Sequence, residues 1–503
     1  EFRRVLFRSI SYTWIPYFTG FVAFCMAYGI GANDVANAFA TSVGAKAITL
    51  RTALCIAAVM EFSGAFLMGS HVTSTIAKNI IDPSVFVDQP EVLMVANMCA
   101  LMSAAVWLII ATEFGMPVST THSIIGALVG CGIVAKGTSA INWKKVVEIV
   151  ISWFTSPVLS GIFSFLLFLF VRNVILRAKN SFERSLKFYP ILVAFCFFVN
   201  IMYVIYKGTP QLNLSKTPYW LGILISMGIS LIIGFALYFI MVPRLRAKSL
   251  AISEEAPKPT VVEGEKTTTV VPVNTETTVT MTEKPEEKPK EESVMEKVQQ
   301  KLSHDVHAEL KDETSEVYKI HQHAEKFDAR TEHVFSFIQV ITATFDSFCH
   351  GANDVANSIG PFAGVIAIYN TREVVAKSAV PVWILALGGA GIVIGLATLG
   401  YKIMASIGVN LVRVTPSRGF TIEMGAAIVV LVGSGQGIPL STTHCQVGST
   451  VGVGCLEGTK GINWKLLVEV FVGWIVTMVV AGGLGAGIFY FAMGTPSMLV
   501  PFK

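Results

Sequence analysis

The chain has 503 residues, of which 53% are hydrophobic and only 14% carry a charge, and its mean hydropathy is +0.61. A soluble protein of this length needs many more charged side chains to cover its surface, so the composition excludes the soluble classes. The net charge of +4 is small and gives no indication of nucleic-acid binding.

Long uncharged stretches recur along the chain and predict membrane-spanning helices. A helix needs about 20 apolar residues to cross about 30 Å of hydrocarbon, and most of these stretches reach or approach that length. They cover residues 92–112, 114–135, 149–171, 188–206, 218–242 and 378–401, with two longer stretches at 424–456 and 470–502. We therefore predict an all-α, polytopic membrane protein of about twelve transmembrane segments.

Two segments fall outside this pattern. Residues 1–9, EFRRVLFRS, lack an initiator methionine and read as the translation of a sequencing-adapter oligonucleotide, so we interpret them as an artefact. Residues 244–333 are rich in Glu, Lys, Thr and Pro and have too few large apolar groups to form a core, which predicts a largely disordered loop. The membrane segments then form two halves, residues 10–243 and 334–503.

The two halves carry the same motifs in the same order. GANDVANA at Gly31 matches GANDVANS at Gly351, PVSTTH at Pro117 matches PLSTTH at Pro439, and INWK follows in both halves. The offset between the copies stays between 320 and 322 residues. Such regularity indicates an internal duplication.

Basic residues predict the orientation of the two copies. They concentrate in residues 172–187 and 243–248, and the positive-inside rule places both flanks, with the loop 244–333, in the cytoplasm. With about seven segments before the loop, the first copy starts outside and the second inside. This arrangement predicts two inverted-topology repeats with broken or re-entrant helices.

The first motif places a carboxylate in an apolar context in both halves. An aspartate at the centre of a membrane helix costs about 2.5 to 3.5 kcal/mol, so it normally has a partner or a function. Glycine loosens the helix and exposes carbonyl groups, while Asn and Asp supply side-chain oxygens, a combination that suits a desolvated Na⁺. Interhelical hydrogen bonding is the alternative interpretation. The predicted sodium ligands are Asn33, Asp34, Asn37, Asn353, Asp354 and Asn357.

The second motif predicts an anion site. Proline ends one helix and starts another, so Ser-Thr-Thr forms a first turn in which free N–H groups, hydroxyls and the helix dipole favour an anion such as phosphate. Alternatively, the hydroxyls only bond carbonyl groups of their own helices. We interpret His122 and His444 as packing residues rather than ligands. The predicted phosphate-binding residues are Ser119, Thr120, Thr121, Ser441, Thr442, Thr443 and Gln436.

Two further carboxylates lie in apolar context. They are Glu61 in AAVMEFSGAF and Glu423 in TPSRGFTIEMGAA. Each is interpreted as a coupling-ion, proton or gating site, or as a gate partner of a nearby basic residue such as Arg418. A structural ion pair is the alternative.

The motifs GANDVANAFATSVG, GANDVANS, PVSTTH and TPSRGFTIE resemble the inorganic phosphate transporter family, specifically its eukaryotic sodium-dependent phosphate symporters. The resemblance covers nearly the whole chain outside residues 1–9 and the central loop. It implies a sodium-coupled phosphate symporter, not an enzyme, built from inverted repeats with a large cytoplasmic loop and external termini. It also implies that Glu61 and Glu423 are the essential membrane glutamates of the family, and that Ser119 and Ser441 are its motif serines.

The predicted function is import of inorganic phosphate with Na⁺ across the plasma membrane by alternating access. Na⁺ at the Asn-Asp clusters would neutralise carboxylates that otherwise repel phosphate, so the two ions favour each other's binding. The predicted partners are phosphate, Na⁺ and the lipid bilayer, without nucleic acid or a cofactor beyond the co-transported ion; a homodimer is left open. The alternatives are a proton-coupled phosphate symporter and a membrane phosphate sensor or receptor with little transport.

Overall fold

The computed structural model describes residues 12–34, 36–207, 217–255, 308–374, 380–435 and 440–494. The predicted artefact at residues 1–9, most of the predicted loop and the predicted ligand Gln436 lie outside the described residues.

Helices form almost all of the described chain. In chain order the α-helices are α1 (Trp14–Asn33), α2 (Ala36–Gly44), α3 (Leu50–Asn79), α4 (Pro90–Glu113), α5 (Thr120–Lys136), α6 (Trp143–Val171), α7 (Ser181–Lys207), α8 (Tyr219–Glu255), α9 (Glu316–His323), α10 (Ala329–Thr371), α11 (Val382–Leu399), α12 (Tyr401–Ala405), α13 (Pro416–Gly435), α14 (Thr442–Gly454) and α15 (Trp464–Gly494). The described residues contain no β-sheet, only an isolated antiparallel bridge between Ile81 and Ile141. The predicted all-α class is confirmed.

Short helical turns connect or extend these helices. The 3₁₀ turns are Pro83–Phe86, Thr138–Ala140, Ala308–Lys311, Cys455–Glu457 and Thr459–Gly461, and the π-helical turns are Arg172–Leu176 after α6 and Ser406–Asn410 after α12.

Eight helical segments of the described chain are long and apolar enough to cross a membrane. They are Trp14–Gly44, Leu50–Ser70, Pro90–Glu113, Trp143–Leu176, Ser181–Ile205, Tyr219–Ala251, Val382–Leu399 and Trp464–Gly494. Large apolar side chains remain exposed on their outer faces, including Phe239 (70% exposed) and Ile475 (69%). Apolar surface of this extent suits contact with lipid rather than water. The count of about twelve segments stays a prediction, because α5 and α14, with 17 and 13 residues, are shorter than a full span.

Helices of the two halves are interleaved. α3 packs along α10 and α11 packs along α1, while α5 packs on α15 and α14 packs on α6. α5 and α14, which begin at the two STTH motifs, therefore each pack on the helix that begins at the INWK motif of the other half. The largest buried apolar cluster also contains residues of both halves, such as Met26, Leu108 and Ile359. The sequence halves are thus not separately packed bodies.

Both ends of the predicted loop 244–333 are helical. α8 continues to Glu255, beyond the predicted start of the loop, and residues 256–307 lie outside the described chain. At the other end α9 is amphipathic, with Val317 and Ile320 buried. Its His321 Nε2 lies 2.9 Å from the Val409 carbonyl oxygen, so α9 is packed against the second half.

Ion pairs fix the segment between α9 and α10. Arg177 donates to both carboxylate oxygens of Glu325, at 2.9 and 2.8 Å. Arg418 is 1% exposed; it forms an ion pair with Glu457 and donates to the Glu325 carbonyl oxygen at 2.9 Å. The interpretation of Arg418 as a gate partner of Glu423 is therefore wrong, because Arg418 is paired elsewhere.

Candidate functional site

The second copy of GANDVAN lies inside the continuous helix α10. The first copy joins α1, which ends at Asn33, to α2, which begins at Ala36. Asp34 between them has right-handed helical backbone, and Val35 lies outside the described residues. The expected helix break is therefore absent from the second copy and stays a prediction for the first.

The leading glycines of both motifs allow close helix contacts rather than loosening the helix. A Cβ atom on Gly351 would lie 2.2 Å from the Glu61 carbonyl oxygen of α3. A Cβ atom on Gly31 would lie 1.8 Å from the Ile392 carbonyl oxygen of α11. No side chain fits at these distances, so the packing of α10 on α3 and of α1 on α11 requires glycine.

The aspartates of the two motifs meet in one buried cluster with His350. A ligand atom of Asp34, one of Asp354 and one of His350 all lie within 4.8 Å of one another, and all three residues are buried. His350 Nε2 lies 2.8 Å from Asp354 Oδ2. Two carboxylates and an imidazole at this spacing form a site that could hold a cation.

Threonine hydroxyls from both STTH motifs donate to these carboxylates. Thr120 donates to Asp34 Oδ2 at 2.6 Å, and Thr443 donates to Asp34 Oδ1 at 3.0 Å. Thr442 donates to Asp354 Oδ2 at 2.7 Å. Asp34 thus receives one hydroxyl from each half, so residues separated by hundreds of positions share one site.

Each STTH motif begins a helix at the position expected from its proline and hydroxyl residues. Ser119 and Ser441 are the N-caps of α5 and α14, and their Oγ atoms accept the N–H groups of His122 and His444 at 3.3 Å. The cap uses one free N–H group of each helix end and leaves the serine hydroxyl hydrogen for another acceptor. All four side chains are buried.

The two histidines pack against tryptophans in a crossed arrangement. The ring centroids of His122 and Trp153 lie 3.6 Å apart, and so do those of His444 and Trp474. His122 Nδ1 lies 3.3 Å from the Trp474 carbonyl oxygen, and His444 Nδ1 lies 3.0 Å from that of Trp153. Each histidine therefore contacts the tryptophan ring of its own half and the tryptophan backbone of the other half, which agrees with a packing role.

Two asparagines of the second motif contact the central cluster. Asn353 Nδ2 donates to Asp354 Oδ1 at 3.1 Å. Asn357 Nδ2 donates to the hydroxyl oxygens of Thr120 and Thr121, at 3.1 and 3.3 Å. The Oδ1 atom of Asn357 is buried and has no hydrogen-bond partner in the described chain, so it is available to a ligand.

Asn33 of the first motif has a different environment. Its Nδ2 donates to the Met116 carbonyl oxygen and its Oδ1 accepts the Val118 N–H group, both at 3.0 Å. Asn33 therefore anchors the chain that leads into the first STTH turn. The side chain of Asn37 and the whole of Gln436 lie outside the described residues.

Glu61 is joined to the central cluster through His350. The carboxylate is fully buried, with Oε2 at 2.9 Å from His350 Nδ1 and Oε1 accepting the Ser347 hydroxyl at 3.1 Å. Because the other nitrogen of His350 faces Asp354, the imidazole bridges the two carboxylates.

Glu423 occupies a second buried polar cluster. Its Oε1 accepts the hydroxyls of Thr41 at 2.6 Å and Ser42 at 2.9 Å, and the Gln339 amide at 3.2 Å. Its Oε2 accepts the hydroxyl of Thr342. The donors lie on α2 and α10 and Glu423 itself lies on α13, so this cluster joins both halves, and Glu423 has no cationic partner in the described residues.

Sequence reasoning missed His350 and Asp346. Both precede the second motif in FDSFCHGANDVANS, at four and eight residues before Asp354. Residues at this spacing lie on one face of a helix, so the spacing itself was a usable signal.

Residues 30–485 match the model of the phosphate transporter family. A protein named as a phosphate permease from Pyrococcus furiosus is 38% identical over 480 residues, which cover 94% of each chain. Sodium-dependent phosphate transporter 1 of Rattus norvegicus is 28% identical, covering 91% of this chain and 92% of its own.

A solved structure agrees with these relatives. The chain is similar to a structure described as the sodium-dependent phosphate transporter, with 33% identity, a TM-score of 0.74, and coverage of 95% of this chain and 99% of that chain. The similar proteins include archaeal and mammalian ones, so the eukaryotic part of the resemblance stays a prediction. These relatives are membrane transport proteins and not enzymes. The chain therefore belongs to the phosphate transporter family.

Proposed function

We propose that this protein is a sodium-coupled symporter that imports inorganic phosphate across the plasma membrane by alternating access. Membership of the family supports phosphate as substrate, and the printed names of the rat protein and of the solved structure include sodium dependence. One geometric observation carries the proposal: hydroxyls of both STTH turns converge on Asp34 and Asp354.

This convergence gives a physical reason for coupling. The hydroxyl hydrogens of Thr120, Thr442 and Thr443 are engaged by the carboxylates and cannot bond phosphate at the same time. Two carboxylates in the protein interior also repel an anion. Na⁺ bound to Asp34 and Asp354 neutralises the two carboxylates, which at present accept hydrogen bonds from these hydroxyls. The hydroxyls can then donate to phosphate instead. Each ion then favours binding of the other.

The proposed ligand sets follow from this exchange. Na⁺ is held by carboxylate and amide oxygens of the two GANDVAN motifs, namely Asn33, Asp34, Asn37, Asn353, Asp354 and Asn357. Phosphate is held at the amino termini of α5 and α14, where N–H groups, hydroxyls and helix dipoles favour an anion. Its ligands are Ser119, Thr120, Thr121, Ser441, Thr442 and Thr443, with the amide of Gln436. Glu61 and Glu423 act in ion coupling or gating.

We also propose how the protein is oriented in the membrane and how it moves during transport. The central loop is cytoplasmic and the termini are extracellular, as the basic flanks indicate. Rocking of one repeat against the other exposes the central cluster alternately to the two sides of the membrane.

Uptake of radiolabelled phosphate into liposomes that contain the purified protein tests the proposal. External Na⁺ is compared with choline at an acidic and at a neutral pH. We expect uptake to require Na⁺ at both pH values. Uptake that persists in choline and rises at acidic pH would overturn sodium coupling.

A proton-coupled phosphate symporter is the second candidate. The continuous contact from Glu61 through His350 to Asp354 favours it, because all three groups can carry a proton. In the same assay, phosphate binding with negligible uptake under every condition would instead favour a sensor.

A further inference from the structure

A groove lies between α7 and α8 on the outer surface of the molecule. The two helices are antiparallel, because Arg246 near the end of α8 pairs with Glu183 near the start of α7 at 2.7 Å, and Gly222 at the start of α8 lies against Ile205 at the end of α7. The groove has a volume of about 640 Å³. Its wall is open to the surroundings, since Phe235 is 63% exposed.

Small side chains form the floor of this groove. A Cβ atom on Gly234 of α8 would lie 2.7 Å from the Pro190 carbonyl oxygen and 3.0 Å from the Cβ atom of Ala194, so the two helices touch along this line. Ser230 also lies on the floor, where it is buried and donates its hydroxyl to the Met227 carbonyl oxygen at 3.0 Å. The Ser230 hydroxyl is engaged within its own helix, so an apolar chain suits this floor better than a polar ligand.

The groove has the length of one leaflet of a bilayer. Its lining runs from Lys187 to Phe198 on α7 and from Tyr238 back to Met227 on α8. A helix extends about 17 Å from residue 187 to residue 198, which is close to half of the hydrocarbon thickness of a bilayer. The uncharged stretch 188–206 begins directly after Lys187, so this lysine marks the edge of the hydrocarbon. An acyl chain that enters beside Lys187 therefore stays in the groove as far as the middle of the membrane.

Basic side chains surround the end of the groove at which α7 begins. Lys187 lines the groove, is exposed, and forms no ion pair or hydrogen bond with a described residue. Arg184 and Arg244 lie at the same end and donate to the backbone carbonyl oxygens of Val174 and Ile240 rather than to carboxylates. This end of the groove therefore attracts an anion.

We propose that the groove between α7 and α8 binds one anionic phospholipid, with an acyl chain along the groove and the headgroup phosphate at Lys187. An apolar groove of leaflet length with an unpaired cation at its end suits a molecule that has both an acyl chain and a negative headgroup. A second copy of the chain fits less well. A two-fold axis along the membrane normal would bring the basic ends of both grooves together, and like charges repel.

Another groove of the described chain provides a comparison within the molecule. It has a volume of about 560 Å³ and lies between α6, α14 and α15. Its lining is apolar and aromatic, and none of the described residues that line it carries a charge. A lipid in that groove is held by its acyl chain alone, so a preference for an anionic headgroup belongs to the groove between α7 and α8.

Native mass spectrometry of the full-length protein in detergent tests the proposal. The binding constant of the first phosphatidylglycerol is compared with that of the first phosphatidylcholine, without Na⁺ or inorganic phosphate. We expect wild type to prefer phosphatidylglycerol, Lys187→Gln to lower this preference about fivefold, and Lys187→Arg to retain it. Lys179→Gln is the matched control, because it removes the same charge from an exposed lysine of the same basic flank that does not line the groove. Its preference should equal that of wild type.

Glycerophosphoglycerol, the headgroup without acyl chains, separates the contribution of the groove from that of the basic flank. It should not displace the bound lipid, and displacement would overturn the inference. Equal preference for phosphatidylglycerol in wild type and Lys187→Gln would also overturn it, as would an equal loss in Lys179→Gln. A protein dimer that binds no phosphatidylglycerol would show that a second copy covers the groove instead. Because the assay contains neither Na⁺ nor inorganic phosphate, each of these failures leaves the proposed symport untouched.

Discussion

The same eight-residue motif occurs in two unlike places in this molecule. The first copy ends α1, after turns that are buried in the apolar core, whereas the second lies within α10 after turns that carry Thr342, Asp346 and His350. The motifs supply closely similar ligand groups, so the difference lies in what surrounds them. The same motif thus follows an apolar helix face in one half and a polar helix face in the other.

The largest effect is expected at the two aspartates. Asp34→Asn and Asp354→Asn should each lower Na⁺-dependent phosphate uptake by at least about 100-fold, because each removes an anionic ligand from the buried cluster. Only Asp354→Asn should also lower the thermal stability of the purified protein, since His350 then loses a charged partner. Radiolabelled uptake and thermal unfolding measure the two effects.

The control for the aspartate variants is Glu148→Gln, which removes an exposed ion pair with Lys145 and should leave uptake unchanged. Normal uptake by either aspartate variant would show that its copy of the motif does not bind a coupling ion.

The next effect concerns the leading glycines, which are equivalent in both copies. Gly31→Ala and Gly351→Ala should each destabilise the protein by roughly 2 to 3 kcal/mol, because the new methyl group meets a backbone carbonyl. Thermal unfolding in detergent measures the change. Gly228→Ala in α8, where no atom lies within 4 Å of the added Cβ, is the matched control and should be neutral or slightly stabilising. If all three variants unfold at the same temperature, the close contacts at Gly31 and Gly351 are contradicted.

A smaller effect is expected at the crossed histidines. His122→Phe and His444→Phe retain a ring against tryptophan but lose the hydrogen bond to the opposite half, which should cost about 1 kcal/mol each. Since the two rings meet with centroids 4.5 Å apart, a double-mutant cycle should show coupling. Unequal single effects in thermal unfolding would mean that the two repeats differ at this position as well.

The smallest effect is a pH dependence confined to the second half. Burial alone would raise the pKa of Glu457, but the Arg418 charge and the Glu325 N–H group hold that pKa below its ordinary value. The pair therefore stabilises the protein above the pKa of an unfolded glutamate, and this stabilisation is lost as the pH falls through the folded pKa. The stability difference between wild type and Glu457→Gln should shrink on acidification.

Lys136 provides the control for this pH dependence. It occupies the position matched to Glu457 in the first half and bonds Gln89 instead of an arginine. Lys136→Gln should leave the acid dependence as it is in wild type. An acid dependence that is the same in wild type and in Glu457→Gln would contradict the assignment.

Much of the fold followed from local sequence. Apolar stretches of membrane length predicted the all-α class, and proline followed by Ser-Thr-Thr predicted helix starts at Thr120 and Thr442, because capping depends on the residues themselves. Asp34, Asp354, Asn357 and the threonines of the two STTH motifs also lie in contact, whereas their predicted binding of sodium and phosphate stays a prediction.

Features that depend on distant partners could not be predicted in this way. Nothing near Gly351 reveals that the Glu61 carbonyl oxygen lies against it, so glycine was interpreted as loosening the helix. Arg418 is five residues from Glu423 in sequence, yet it pairs with Glu457. Such contacts arise from the interleaving of the halves, which the order of motifs along the chain does not encode.

The crossed packing of α5 on α15 has a consequence for biogenesis. α5 ends at Lys136, but its supporting helix starts only at Trp464, so the ribosome needs roughly 15 to 70 seconds of further synthesis before that surface exists. During this interval α5, with 17 residues, lacks both its partner and the length of a full span. The first anion turn is therefore among the last features to mature, and the nascent chain is exposed to membrane-protein quality control until its final helix is inserted.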